Sequence, residues 1–154
     1  MDNDWKLPWA GGCRCGAVRF RVTTPPLLSS ACHCTGCQRM TASAYTLSLS
    51  LHRDGFEITQ GEPVLGGTRQ PPMHYHCPEC KSWMFTQPPD LDWFMNLRTT
   101  MLDDHAWAAP FVEIYRNEGF PWAATGAKHT FDALPGEADW PRLMGAYAAE
   151  GARP

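Results

Sequence analysis

The feature that most constrains this chain is its seven cysteines, all of which fall within three short clusters. The clusters are Cys13-Arg14-Cys15, Cys32-His33-Cys34-Thr35-Gly36-Cys37 and Cys77-Pro78-Glu79-Cys80. An odd count argues against a disulfide framework, and Met1 to Gly12 lacks both the basic start and the apolar stretch of a secretory signal. Short Cys-x-Cys and Cys-x-x-Cys loops let neighbouring sulfurs converge on one ion, with Zn–S distances of about 2.3 Å. The expectation is therefore a reduced, cytoplasmic protein whose cysteines are zinc ligands. Isolated free cysteines behave as small buried hydrophobes, but here none stands alone. A redox pair at Cys34/Cys37 or Cys77/Cys80 would need a βαβ context that the surrounding residues do not supply.

A length of 154 residues suits one domain with a core of its own. Its 44% hydrophobic and 19% charged residues describe a globular chain. Polar residues interrupt every apolar stretch well before the roughly 20 residues needed to span a bilayer, so no membrane partner is expected. The formal charge is −3, and thiolates holding zinc would make the chain more acidic still. With no basic run in Met1 to Gly11 or Gly145 to Pro154, nucleic acid is not expected as a partner.

Thirteen glycines and fourteen prolines exclude long helices over most of the chain and predict a mostly β fold of short strands. Expected strands are Ala17 to Thr23, Tyr45 to Leu51, Phe56 to Gln60, Met73 to His76, Trp83 to Thr86, Trp93 to Arg98 and Phe111 to Tyr115. The run Val18-Arg19-Phe20-Arg21-Val22 alternates as a half-buried strand does. The only good helix candidate is Asp139 to Glu150, with Trp140, Leu143, Met144 and Tyr147 at helical spacing and Pro141 near its start.

Spacing leaves the grouping of the cysteines open. Cys34/Cys37 with Cys77/Cys80 reads as a two-knuckle ribbon, whereas Cys13, Cys15, Cys77 and Cys80 around one ion leaves Cys32, Cys34 and Cys37 around a second. Three protein ligands with an open fourth position is the architecture of a catalytic zinc. His33 competes for that position.

Four ordered stretches resemble the glutathione-dependent formaldehyde-activating enzyme family, which also contains centromere protein V. They are Gly11-Gly12-Cys13-Arg14-Cys15-Gly16-Ala17-Val18, Cys32-His33-Cys34-Thr35-Gly36-Cys37-Gln38-Arg39, Phe56-Glu57-Ile58-Thr59-Gln60-Gly61 and Cys77-Pro78-Glu79-Cys80. The resemblance implies an Mss4-like zinc-binding β fold. It also implies a closed zinc site at Cys13, Cys15, Cys77 and Cys80, and a catalytic zinc on Cys32, Cys34 and Cys37, two ions per chain. Residues 11–135 would form that domain, with 1–10 an N-terminal extension and 136–154 a C-terminal tail. Two departures stand out: Lys81 where the family usually has glycine, and Gln38 where a basic residue is common.

The chemistry that follows is that of a carbon–sulfur lyase or synthase acting on a small thiol or thiol adduct, such as a hemithioacetal of glutathione and an aldehyde like formaldehyde. A thiol loses its proton on binding a metal. The rival is a non-catalytic zinc module that binds another protein. Arg14 and Arg39 are candidates for a substrate carboxylate, and Trp122 for the mouth of the site. His74 and His76 share a strand face; His52, His105 and His129 have no motif around them.

Overall fold

The computed structural model describes residues 3–66 and 73–154. Its architecture follows from short apolar runs cut by turn residues, which can bury themselves only by pairing edge to edge. Among the described residues these runs form β1 (Trp9–Gly12), β2 (Arg19–Val22), β3 (Leu28–Cys32), β4 (Thr46–His52), β5 (Phe56–Gln60) and β6 (Val64–Gly66). They continue as β7 (Met73–His76), β8 (Trp83–Gln87), β9 (Phe94–Arg98), β10 (Val112–Ile114) and β11 (His129–Thr130). Two α-helices accompany them, α1 (Thr35–Thr41) and α2 (Asp139–Glu150). The mostly β expectation and the C-terminal helix both hold.

Strands β1, β2 and β5 form a small antiparallel sheet, and the other eight form a large one in the order β11-β10-β3-β4-β9-β8-β7-β6. The two sheets meet through aromatic rings: Phe20 touches Phe56 at 5.1 Å and Phe56 touches Phe85 at 5.0 Å between centroids. Leu49, Leu51, Met84, Met95 and Leu97 complete this core with no exposed surface. Helix α2 adds Leu143 and Tyr147 to the same core. Tyr147 packs on Phe111 at 5.4 Å and on Trp5 at 5.8 Å.

The elements absent from the sequence expectation are β1, β3, β6, β11 and α1, and two of them carry the cysteine loop. The segment Leu28–Cys32 is a strand although it reads Leu-Ser-Ser-Ala-Cys, because β4 on one side and β10 on the other satisfy its backbone. The residues after Cys34 form helix α1 although none of them is buried. A sulfur stands at its N-cap, where Cys34 Sγ accepts from the Cys37 N–H at 3.3 Å.

The register of the large sheet decides where chemistry can sit. Strand β3 ends at Cys32, opposite Thr46 at the start of β4. Strand β9 ends at Arg98, opposite Ser48 of β4, and β8 begins at Trp83, opposite His76 at the end of β7. Since β7 runs directly into Cys77, both cysteine-bearing loops emerge from the same end of one sheet, with Thr46, Arg98 and Trp83 between them.

Candidate metal centres

The first cysteine group is built from two tight turns. In one, Gly16 adopts φ +79 and donates its N–H to Cys13 O, while Val18 N–H points at Cys13 Sγ at 3.3 Å. In the other, Lys81 N–H donates to Cys77 O, and Ser82 Oγ lies 3.1 Å from Cys80 Sγ. Lys81 has φ 63, so the left-handed position that suits glycine is occupied by a side chain. The sulfurs of Cys13, Cys15, Cys77 and Cys80 all lie within 4.8 Å of one another.

These four sulfurs fit a tetrahedral ion. Metal–sulfur bonds of about 2.3 Å give tetrahedral edges of about 3.8 Å. Cys13 and Cys15 stand 3.6 Å apart, and Cys15 and Cys77 3.8 Å. The hydrogen bonds of Ser82 draw the Cys80 thiol down to about 5, whereas Cys15, although the Ala17 backbone favours its thiolate, is pushed up to about 11 by partial desolvation and its three sulfur neighbours. So many thiolates at this spacing ionise together only around a cation.

The second group is local. Cys32 closes β3, and Cys34 and Cys37 sit at the N-cap and in the first turn of α1; their three sulfurs again lie within 4.8 Å of one another. All three residues are half-buried. The neighbouring Cys32 thiol draws Cys37 down to about 6, with help from Thr46, Cys34 and the positive charge of Arg98, while Cys37 pushes Cys32 up. The structure thus brings the seven cysteines together as four and three. This set of soft, ionisable donors suits a thiophilic metal ion.

His33 is not among the residues that converge. Its ring is fully buried and faces away from the sulfurs, with Nε2 donating to Glu113 Oε2 at 3.0 Å and Nδ1 accepting from Arg116 Nη1 at 3.0 Å. Burial lowers its pKa, so it stays neutral. Glu113 Oε2 also accepts from Thr125 N–H at 3.1 Å and Thr125 Oγ1 at 2.8 Å. These bonds outweigh burial and hold the carboxyl below its usual range. Gln38 locks the same loop by donating from Nε2 to His33 O at 2.7 Å and Glu118 O at 3.0 Å. Sequence reasoning missed Glu113 and Arg116, which lie some eighty positions from His33 in no motif; the one available signal was a charged pair at i and i+3 in an apolar run.

An open cleft of about 1070 Å³ lies along this end of the sheet. Arg14, Cys80 and Lys81 line it beside the four-sulfur group, Thr46 and Arg98 beside the three-sulfur group, and Trp122 at its rim. Trp122 is 77% exposed and stacks on Phe120 at 5.1 Å, so the expectation that it lies at a mouth agrees with its place. Arg39 is exposed and does not line the cleft. His74 and His76 both meet the Trp83 ring, His74 edge-on at 5.0 Å and His76 stacked at 6.5 Å.

A β-rich protein with one four-sulfur and one three-sulfur group at a common sheet end has the donor geometry of a protein that could hold metal ions on thiolates. The model of the glutathione-dependent formaldehyde-activating enzyme family matches residues 8–118, and the chain belongs to that family. A protein of Halomonas elongata named for the same activity is 32% identical over 85 residues. That match covers 49% of this chain and 54% of the relative, so the chain spans about half its length. A crystal structure of a Rhodobacter sphaeroides protein superposes with a TM-score of 0.50 at 18% identity, over 61% of this chain and 87% of that one. At that identity the likeness speaks for the fold alone. Among the described residues no helix is long and apolar enough to cross a membrane.

Proposed function

We propose that this protein is a zinc-dependent carbon–sulfur lyase or synthase acting on a small thiol adduct, such as the hemithioacetal of glutathione and formaldehyde. The observation that carries the reading is the inequality of the two groups: four sulfurs close one site, while Cys32, Cys34 and Cys37 supply three, and His33 is turned away to Glu113 and Arg116. Cys13, Cys15, Cys77 and Cys80 would hold a structural zinc. A zinc on Cys32, Cys34 and Cys37 would ionise a substrate thiol entering the position the chain leaves free.

The chain's own residues then do the rest. The thiolate adds to the aldehyde carbon, the carbonyl π bond opens and the oxygen takes up, through solvent, the proton the thiol gave up; in reverse the hydroxyl loses that proton as the C–S bond breaks, and the thiolate leaves with the bonding electron pair. Buried Arg98 offsets the negative charge of three thiolates and keeps the substrate sulfur's charge tolerable beside them. His33, neutral and doubly hydrogen-bonded, holds the cysteine loop instead of shuttling the proton. Seven unpaired thiols suit a reducing compartment such as the cytoplasm.

Cobalt in place of zinc tests this directly. Adding a small thiol at millimolar concentration should alter the sulfur-to-metal absorption bands, and Cys34→Ser should abolish the change. Spectra that do not respond would mean a closed second site and favour a non-catalytic zinc module that binds another protein.

A further inference from the structure

We propose that Glu118 is a positioning residue for the three-sulfur group, and that residues 115–119 form a bracket that shapes the turn carrying Cys34 and Cys37 before an ion arrives. It rests on the reading above of Cys32, Cys34 and Cys37 as the substrate-binding metal site, and adds what holds that site in shape. The turn needs such a support. Helix α1 buries none of its residues, so apolar packing does not fix it. Thr35 lies between two of the cysteines, and its N–H has no acceptor inside the helix. That N–H donates to Glu118 Oε2 at 2.6 Å. Gln38 Nε2 donates to Glu118 O at 3.0 Å, and Arg116 Nη1 to His33 Nδ1 at 3.0 Å. Glu118 thus meets the cysteine loop twice, by side chain and by main chain.

The bracket is itself anchored from behind. Tyr115 turns the chain out of β10 with φ 57, an uncommon conformation for a residue other than glycine. Tyr115, Arg116 and Asn117 then donate their N–H groups to the carbonyls of Ala133, Phe131 and Asp132 at 3.1 to 3.3 Å. Gly119 closes against His33, where a side chain's Cβ would come within 3.0 Å of Nδ1 and 3.1 Å of the histidine Cβ. Its φ is −77, so it is space and not backbone freedom that requires glycine there. Among the described residues Glu118 forms no ion pair, which leaves its carboxylate to the Thr35 N–H. Such a charge-assisted bond is roughly twice as strong as a neutral one. A loop held in one shape binds an ion at full affinity, whereas a loop competent for only a fraction of the time loses affinity by that fraction. The four-sulfur group does not depend on the bracket, since its turns are closed by Gly16, Lys81 and Ser82.

The test is competition of the full chain with a chromophoric chelator for zinc, together with the absorption bands of its cobalt form. Glu118→Ala should weaken one of the two ions about tenfold, the effect of losing one charge-assisted bond at an exposed position. The ion affected is the one missing from Cys34→Ser; its cobalt bands should shift, and the other ion should bind as in wild type. Glu118→Gln, which keeps an acceptor oxygen, should recover part of the loss, and Gly119→Ala should weaken the same ion by pushing the bracket off His33. Wild-type affinity for both ions in Glu118→Ala and Gly119→Ala overturns the bracket. Equal weakening of both ions also overturns it, since Glu118 would then support the fold at large. Cobalt bands that ignore added thiol, while Glu118→Ala still weakens one ion, overturn the thiol reading and leave the bracket standing. A wild-type chain that takes up one ion only, and keeps it in Cys34→Ser, overturns both.

Discussion

Lys81 stands with φ 63 in the turn that carries Cys80, where an L side chain costs about 1 kcal/mol or more relative to glycine. Lys81→Gly should therefore raise stability by about 1 kcal/mol, read from the midpoint of urea unfolding, even though it removes the Lys81 Nζ contact to Pro78 O. His74 gives a pH signature. Burial lowers its pKa from 6.5 to about 4, and the nearby charges of Arg98 and His76 act in the same direction. The folded state keeps His74 neutral while the unfolded chain takes up a proton below 6.5. Stability from this group is thus complete above about 6.5 and is lost as pH falls towards 4. His74→Gln should flatten unfolding midpoints between pH 6.5 and 5 relative to wild type; parallel profiles would show that the loss comes from elsewhere. The strained position was signalled by the family resemblance, since relatives usually carry glycine where this chain has Lys81. The partners of His33 were not, because a buried Glu113 is recognised by what folds around it and not by its neighbours in the chain.

At the scale of elements, the two cysteine groups differ in what they hold together. Cys77 and Cys80 tie the β7–β8 turn to the segment after β1, whereas Cys34 and Cys37 lie within one short helix start. Cys80→Ser should cost several kcal/mol, on the order expected for opening a structural metal site, and appear as insoluble or unfolded protein. Cys34→Ser should stay folded, because serine is itself a preferred N-cap and can accept the Cys37 N–H in place of sulfur. Metal analysis should find it short of one ion. The strands β5 and β7 and the helix α2 were legible to the residue from alternation and helical spacing. Strands β1 and β3 were not: glycines fill one and serines the other, and their extended form comes from neighbouring strands. Helix α1 escaped notice because it has no apolar face, only a capping sulfur.

At the scale of the whole molecule, metal and fold should be inseparable. Protein purified without chelator should carry close to two ions per chain, one for each sulfur group, and stripping them should unfold it; a metal-free chain of normal stability would contradict the proposed sites. The spans of the two groups also set an order in time. The three-sulfur group is complete once residue 37 is made, while Cys15 must wait for a partner 62 positions later in Cys77. At ordinary synthesis rates of about 5 to 20 residues per second that wait lasts about 3 to 12 seconds. If both groups take zinc, the local one can fill first during synthesis, and Cys13 and Cys15 would remain bare thiols until Cys77 and Cys80 are made.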